Sequence, residues 1–245
     1  MSLGSCCISG FKHEGTPRGN KIKFGETPVY EALPKGDYDK TKALLLLPDA
    51  FGNELNNGLL LADSFADEGF ATYSIDYLNG DPVPENGLND PNFDLGKWIG
   101  KHGADVTRPH IDNVMKALKD KGVTTLAASG FCFGGRYVAD LVIDDQLKTA
   151  IVNHPSLLKF PDDAEKIKSH SVPFLWNTCE TDFMMGPEQQ KIADEVFKGD
   201  KNYTRKYWAG VSHGWSIRGD PNDATVKKAM DEAFEASIKH LKETF

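Results

Sequence analysis

The sequence predicts one α/β domain, a mostly parallel sheet with helices on both faces, and three observations carry that prediction. Apolar runs of strand length recur along the chain, amphipathic helical stretches separate them, and one glycine-flanked turn joins a strand directly to a helix. At 245 residues the chain can bury a sizeable core, and α/β domains of this length commonly form a single unit. Residues 1–245 are therefore expected to form one domain, with residues 1–20 an N-terminal arm.

Residues 21–24 and 28–33, separated by Gly25, read as a short antiparallel hairpin. The run Ala43-Leu44-Leu45-Leu46-Leu47 is unbroken and ends at Pro48, the pattern of a strand covered on both faces. Residues 54–68 place Leu55, Leu59, Ala62 and Ala66 on one helical face, Gly69 closes that helix, and residues 71–76 form the next strand. A loop rich in Asn, Asp, Gly and Pro spans 79–93, after which residues 105–121 repeat apolar side chains at Ile111, Met115 and Leu118. Strands follow at 124–129, 150–153, 173–177 and 204–208. The final helix steps through Val226, Met230, Phe234, Ile238 and Leu241. Strands alternating with helices in this way imply βαβ units.

Composition narrows the partners. Lys and Arg number 28 against 36 Asp and Glu, a formal net charge of -8, and the basic residues are scattered. A nucleic-acid or anionic-membrane partner needs a concentrated positive field, so neither is expected. The longest apolar run is strand-sized, and the N-terminus MSLGSCCISG lacks a basic stretch followed by a long apolar core, so a cytoplasmic location is expected. Cys6, Cys7, Cys132 and Cys179 show neither C-x-x-C nor zinc-ligand spacing, which predicts free thiols. Cys6-Cys7 with nearby His13 supplies too few ligands for a structural zinc site, so the arm is expected to be exposed or packed.

The decisive local signal is Gly130-Phe131-Cys132-Phe133-Gly134-Gly135, between the strand at 124–129 and a helical stretch at 137–142. It matches G-x-S-x-G, the nucleophile elbow of α/β-hydrolase folds, with cysteine in place of serine. A sharp strand-to-helix turn leaves no room for side chains two residues either side of the nucleophile, which explains Gly130 and Gly134. The turn also sets Cys132 at a helix start, where unpaired N–H groups and the helix dipole favour negative charge on the sulfur. The backbone N–H of Phe133 would face a substrate carbonyl oxygen.

In this architecture the partners follow in the order nucleophile, acid, histidine. His213, in Gly210-Val211-Ser212-His213-Gly214, lies just beyond a strand and is the candidate base. His240 sits beside Lys239 and Lys242 on what reads as a solvated helix face, and His154 precedes every acid candidate, so it is expected to line the site or pack. Asp182, in Cys179-Glu180-Thr181-Asp182, is the candidate acid, with Glu180 the alternative on the same loop. Cys179 reads as a small packed side chain.

Cys132, Asp182 and His213 in this order, with G-F-C-F-G-G, E-T-D and S-H-G-W around them, resemble the dienelactone hydrolases, or carboxymethylenebutenolidases, over residues 25–245. The resemblance implies hydrolysis of small enol lactones by acyl transfer to cysteine, without cofactor or metal. It also implies an acidic residue and an oxyanion-hole N–H after an early strand, here Asp49 and the N–H of Ala50; the family's usual residue at the acidic position is glutamate, one methylene longer. Family arginines hold the substrate carboxylate, which nominates Arg218 and Arg108, and a planar bidentate donor suits that task. Phe51, Phe133, Trp176 and Trp215 are candidates for pocket walls, although aromatics beside a sheet are commonly core.

The expected partner is therefore a small ester or lactone, handled by a monomer or small homo-oligomer. General carboxylesterase or thioesterase activity uses the same parts. A non-catalytic binding protein of the same fold is the rival from another class; an intact set of three reactive groups argues against it. A redox thiol is disfavoured because no resolving cysteine lies near Cys132 in sequence.

Overall fold

In the computed structural model, which describes residues 15–245 apart from 54 and 86, eight strands pair into one sheet. They are β1 (Asn20–Phe24), β2 (Thr27–Ala32), β3 (Lys42–Leu47), β4 (Thr72–Ile75), β5 (Thr125–Phe131), β6 (Thr149–Asn153), β7 (Phe174–Thr181) and β8 (Tyr203–Ser212). Their spatial order is β1-β2-β4-β3-β5-β6-β7-β8. β1 pairs antiparallel with β2, and β2 with β4; every pairing from β4 to β8 is parallel. The predicted hairpin is the β1–β2 ribbon, turned at Gly25, where φ is +59°. Cys6, Cys7 and His13 lie outside the described residues.

The unbroken apolar run of β3 is buried along Ala43–Leu47 because alternate side chains serve opposite faces. Leu45 and Leu47 join a cluster with Ile111, Val114 and Leu118 of α3 (Ala104–Asp120) and Val138 and Leu141 of α4 (Phe133–Ile143). Leu44 and Leu46 join the other cluster, with Leu60 and Phe65 of α1 (Asn56–Asp67) and Phe234, Ile238 and Leu241 of α8 (Ala224–Thr244). The two-sided apolar core therefore follows directly from period-2 alternation in the strands and period-3.6 stripes in the helices. Asp223 caps α8, accepting from the N–H groups of Thr225 and Val226 at 2.8 and 3.2 Å.

Several elements depart from the expectation. β7 and β8 run four residues further than predicted, to Thr181 and Ser212, with a register shift between Cys179 and Thr181. This extension carries both strands to the two candidate residues, Asp182 and His213. Four helices lie outside the expected elements: α2 (Leu95–Lys101), α5 (Asp162–Ser169), α6 (Pro187–Val196) and the single turn α7 (Trp215–Arg218). α2 and α6 span only 7 and 10 residues, too few turns for their apolar spacing to stand out from the sequence around them. His240, expected on a solvated face, instead turns toward the sheet, half-buried, with Nε2 2.8 Å from the hydroxyl of Thr149.

Candidate active site

Cys132 stands between the end of β5 and the first residue of α4, at φ +50° and ψ -111°, a conformation few side chains adopt. Three backbone hydrogen bonds of 3.0 Å hold it there. Its N–H donates to the Asn153 carbonyl, and its own carbonyl accepts from Gly135 and Ser156. The glycines are required by close approach. A Cβ at Gly130 would lie 2.6 Å from the Gly134 carbonyl oxygen, and one at Gly134 would lie 2.7 Å from the Pro48 carbonyl oxygen. The helix can therefore begin directly beneath the loop that follows β3, which brings Ala50 to the same cavity as Phe133 and Cys132.

The extended β7 and β8 deliver the other two predicted groups to the same edge. His213 Nδ1 lies 2.9 Å from Asp182 Oδ1, and both side chains are nearly inaccessible to solvent. Oδ1 also accepts the N–H groups of Met184 and Met185 at 2.8 and 2.9 Å, which fixes the carboxylate in the plane the imidazole needs. Glu180, the alternative acid, points away and accepts the Gly210 N–H at 2.7 Å. Nε2 of His213 is buried without a hydrogen-bond partner among the described residues. Burial opposes charge on this imidazole, but the hydrogen bond to Asp182 and the sulfur of Cys132 outweigh it and raise its pKa to about 9. Asp182 is held below the usual carboxylate range: burial pushes it up, and His213 with the two backbone N–H groups more than reverses that.

The remaining predicted residues divide. Phe51, Phe133, Ala50 and Arg218 line the cavity in front of Cys132, which has a volume of about 150 Å³. Asp49 is buried behind that wall. Its Oδ2 accepts from Arg218 Nε at 2.5 Å and its Oδ1 from the Phe51 N–H at 3.0 Å. Burial pushes the Asp49 carboxyl up, and Arg218 pulls it partly back. Asp49 and Arg218, expected as separate activating and substrate-holding groups, are thus one ion pair. The guanidinium lies 4.5 Å over the Phe51 ring.

Arg108 does not reach the cavity: it sits on α3, bonded to Asp112 at 2.7 Å and Asp144 at 2.6 Å. Helical geometry explains this, since position i+4 on the same helix captures its Nε. Trp215 is buried behind the site in the α1–α8 core beside Trp208, and Trp176 is buried on the other face among Phe160, Phe174 and Phe197; neither lines the cavity.

Three more side chains lie near the site: Ser156, which carried no sequence signal, His154, expected to line the site or pack, and Cys179, read as a small packed side chain. The Ser156 hydroxyl lies 3.3 Å from Cys132 Sγ and reaches it because the backbone after β6 is tied to the elbow. His154 is fully buried with its ring packed edge-on against His213, centroids 4.9 Å apart, and Nε2 2.8 Å from the Ser216 hydroxyl. Burial, then the neighbouring His213, drives its pKa well below the ordinary value, so it is a neutral packing partner. Cys179, also buried, directs its thiol toward Asp182 Oδ2 at 3.7 Å and has its pKa pushed up to about 12, chiefly by burial. Among the described residues, no group of three or more His, Cys, Asp or Glu side chains could hold a metal ion.

A strand-elbow-helix with a cysteine at its apex, at the carboxyl edge of a mostly parallel sheet, defines an α/β-hydrolase fold. The chain belongs to the dienelactone hydrolase family, which it matches over residues 27–245, and is a hydrolase of that family. It is 30% identical to hydrolase pyvD of Aspergillus violaceofuscus over 95% of this chain and 93% of that one. It is 27% identical to dienlactone hydrolase 1 of Gibberella moniliformis, over 96% and 92%. Among solved structures, the dienelactone hydrolase-like promiscuous phosphotriesterase P91 from metagenomic libraries shares the fold, with a TM-score of 0.64, 22% identity, and 93% and 98% of the two chains covered. No helix among the described residues is long and apolar enough to cross a membrane.

Proposed function

We propose that this hydrolase opens small lactones or cleaves carboxylic esters through an acyl-cysteine intermediate on Cys132. The observation that carries the reading is the convergence of Cys132, His213 and Asp182 from three separate loops, with the imidazole pKa raised to about 9 by the carboxylate and the sulfur. In the reacting pair the proton rests on His213 and the sulfur attacks as thiolate. Attack forms the S–C bond and places negative charge on the carbonyl oxygen, which would accept from the N–H groups of Ala50 and Phe133, two residues of the cavity lining. Collapse breaks the C–O bond, and His213 gives its proton to the leaving oxygen. The neutral imidazole next takes a proton from water as the water attacks the thioester, and Cys132 leaves as thiolate. Asp182 keeps Nδ1–H oriented so that Nε2 faces the chemistry.

Ester and thioester substrates would use the same groups. The soluble test is steady-state hydrolysis of a dienelactone and of p-nitrophenyl acetate by the wild-type chain and by Cys132→Ala. Turnover by the wild type and its loss in the variant support the reading. Equal turnover by both chains, or none by either, refutes it.

A further inference from the structure

The walls in front of Cys132 are far more apolar than recognition of a dicarboxylate-like lactone requires. Trp98 and Phe133 meet edge to face at 5.3 Å, and Trp98 directs its only polar atom away, donating to the Asp81 carbonyl at 2.9 Å. Leu95, Ile99 and Leu157 complete this wall. Stacking of Trp98 on His102, centroids 4.1 Å apart, and of Phe133 on Tyr77 at 6.2 Å fixes the rings before any substrate enters.

The charge balance points the same way. Arg108 is held on α3 by two carboxylates, and among the described residues Arg218 is the one Lys or Arg side chain on the cavity lining. Its charge is already matched by the buried Asp49, and its guanidinium is spread over Phe51. An anionic substrate would gain little from a cation paired this closely, and the net charge of -8 opposes its approach. The mouth is apolar too: of the large hydrophobic side chains exposed among the described residues, Phe183, 75% accessible, and Leu88, 49% accessible, both flank this cavity. The Phe183 ring stands 5.0 Å from that of His213, tilted against it.

Resting on the acyl-cysteine reading above, we infer that the substrate is an uncharged ester or lactone with a bulky apolar body, which packs against Trp98 and Phe133 and is covered at the mouth by Leu88 and Phe183. Its carbonyl meets Cys132, and no carboxylate is recognised. Each buried methylene of such a body should raise kcat/KM by about twofold to fourfold until the cavity is filled.

The test compares p-nitrophenyl acetate, p-nitrophenyl hexanoate and the mono-p-nitrophenyl ester of adipic acid, whose six-carbon acyl chain ends in a carboxylate. The hexanoate should exceed the acetate in kcat/KM by tenfold or more and the adipate monoester by at least tenfold, and Phe183→Ser should shrink the hexanoate-to-acetate ratio severalfold. Equal rates for acetate and hexanoate, or an adipate monoester as fast as the hexanoate, would overturn the inference. Loss of all turnover in the wild type would instead remove the acyl-cysteine reading. In that case calorimetric titration of Cys132→Ala with hexananilide and with adipic acid monoanilide still decides the pocket's chemistry. Tighter binding of the neutral anilide supports the inference, and equal or tighter binding of the anion defeats it.

Discussion

Replacing Asp182 by Asn probes the site with least disturbance to its packing. The asparagine oxygen can still accept the N–H groups of Met184 and Met185, so the loop should hold. What changes is the partner of His213. The rise of its pKa from 6.5 to about 9 corresponds to about 3 kcal/mol of preference for the imidazolium. That preference survives burial only because Asp182 and Cys132 together outweigh desolvation. Without the carboxylate, desolvation gains the upper hand, so the imidazole pKa falls and the descending, alkaline limb of the rate profile moves to lower pH. The same oxygen still faces Nδ1–H at 2.9 Å but is now uncharged, so it stabilises the imidazolium that forms in the reaction far less, and kcat should drop on the order of 10³-fold. The stability consequence has a definite sign. Because the folded pKa lies above the unfolded one, the His213 contribution is complete below pH 6.5 and is lost as pH rises toward about 9. Wild-type stability should therefore decline across that window, and Asp182→Asn should flatten the decline. The assays are kcat against pH with an activated aryl ester and urea midpoints against pH. A kcat within threefold of wild type, together with an unmoved alkaline limb, would refute the role given to Asp182.

Two further substitutions test the elbow and its neighbour. Ser156→Ala removes the hydroxyl 3.3 Å from Cys132 Sγ; a hydrogen bond to a charged sulfur is worth about 1.5–3 kcal/mol, so alkylation of Cys132 by iodoacetamide at neutral pH should slow by about tenfold to a hundredfold, and an unchanged rate would show that the hydroxyl serves another group. Gly134→Ala places a Cβ 2.7 Å from backbone atoms of Leu47 and Pro48, which cannot rotate away; destabilisation of about 2 kcal/mol and a Tm lowered by about 5 °C should follow in a thermal melt, and an unaltered Tm would contradict the packing described for the elbow.

The sequence alone made the elbow legible, because the chemistry there is local. Gly130, Cys132 and Gly134 sit within one strand-to-helix turn, and their identities answer to contacts made within that turn and with the strand beside it. The order of Cys132, Asp182 and His213 was equally readable, since a parallel sheet returns each successive strand end to the same edge, and the family resemblance follows from those motifs. The two core faces were implicit in the alternation of β3 and the stripes of α1, α3 and α8. The tertiary structure alone decided which charged groups meet. Asp49 and Arg218 are 169 residues apart, and Arg108 was captured by Asp112 on its own helix and by Asp144 across a gap no pattern encodes. Ser156 and His154 likewise reach Cys132 and His213 only through folding, because the hydrogen bonds from β6 to β5 and β7 carry them there. α2, α5 and α6, of 7, 8 and 10 residues, are too short for their apolar spacing to stand out from the loops around them. A residue's type and spacing report what its neighbours along the chain require; its partner across space is set by packing, where small differences in reach determine which opposite charge it finds.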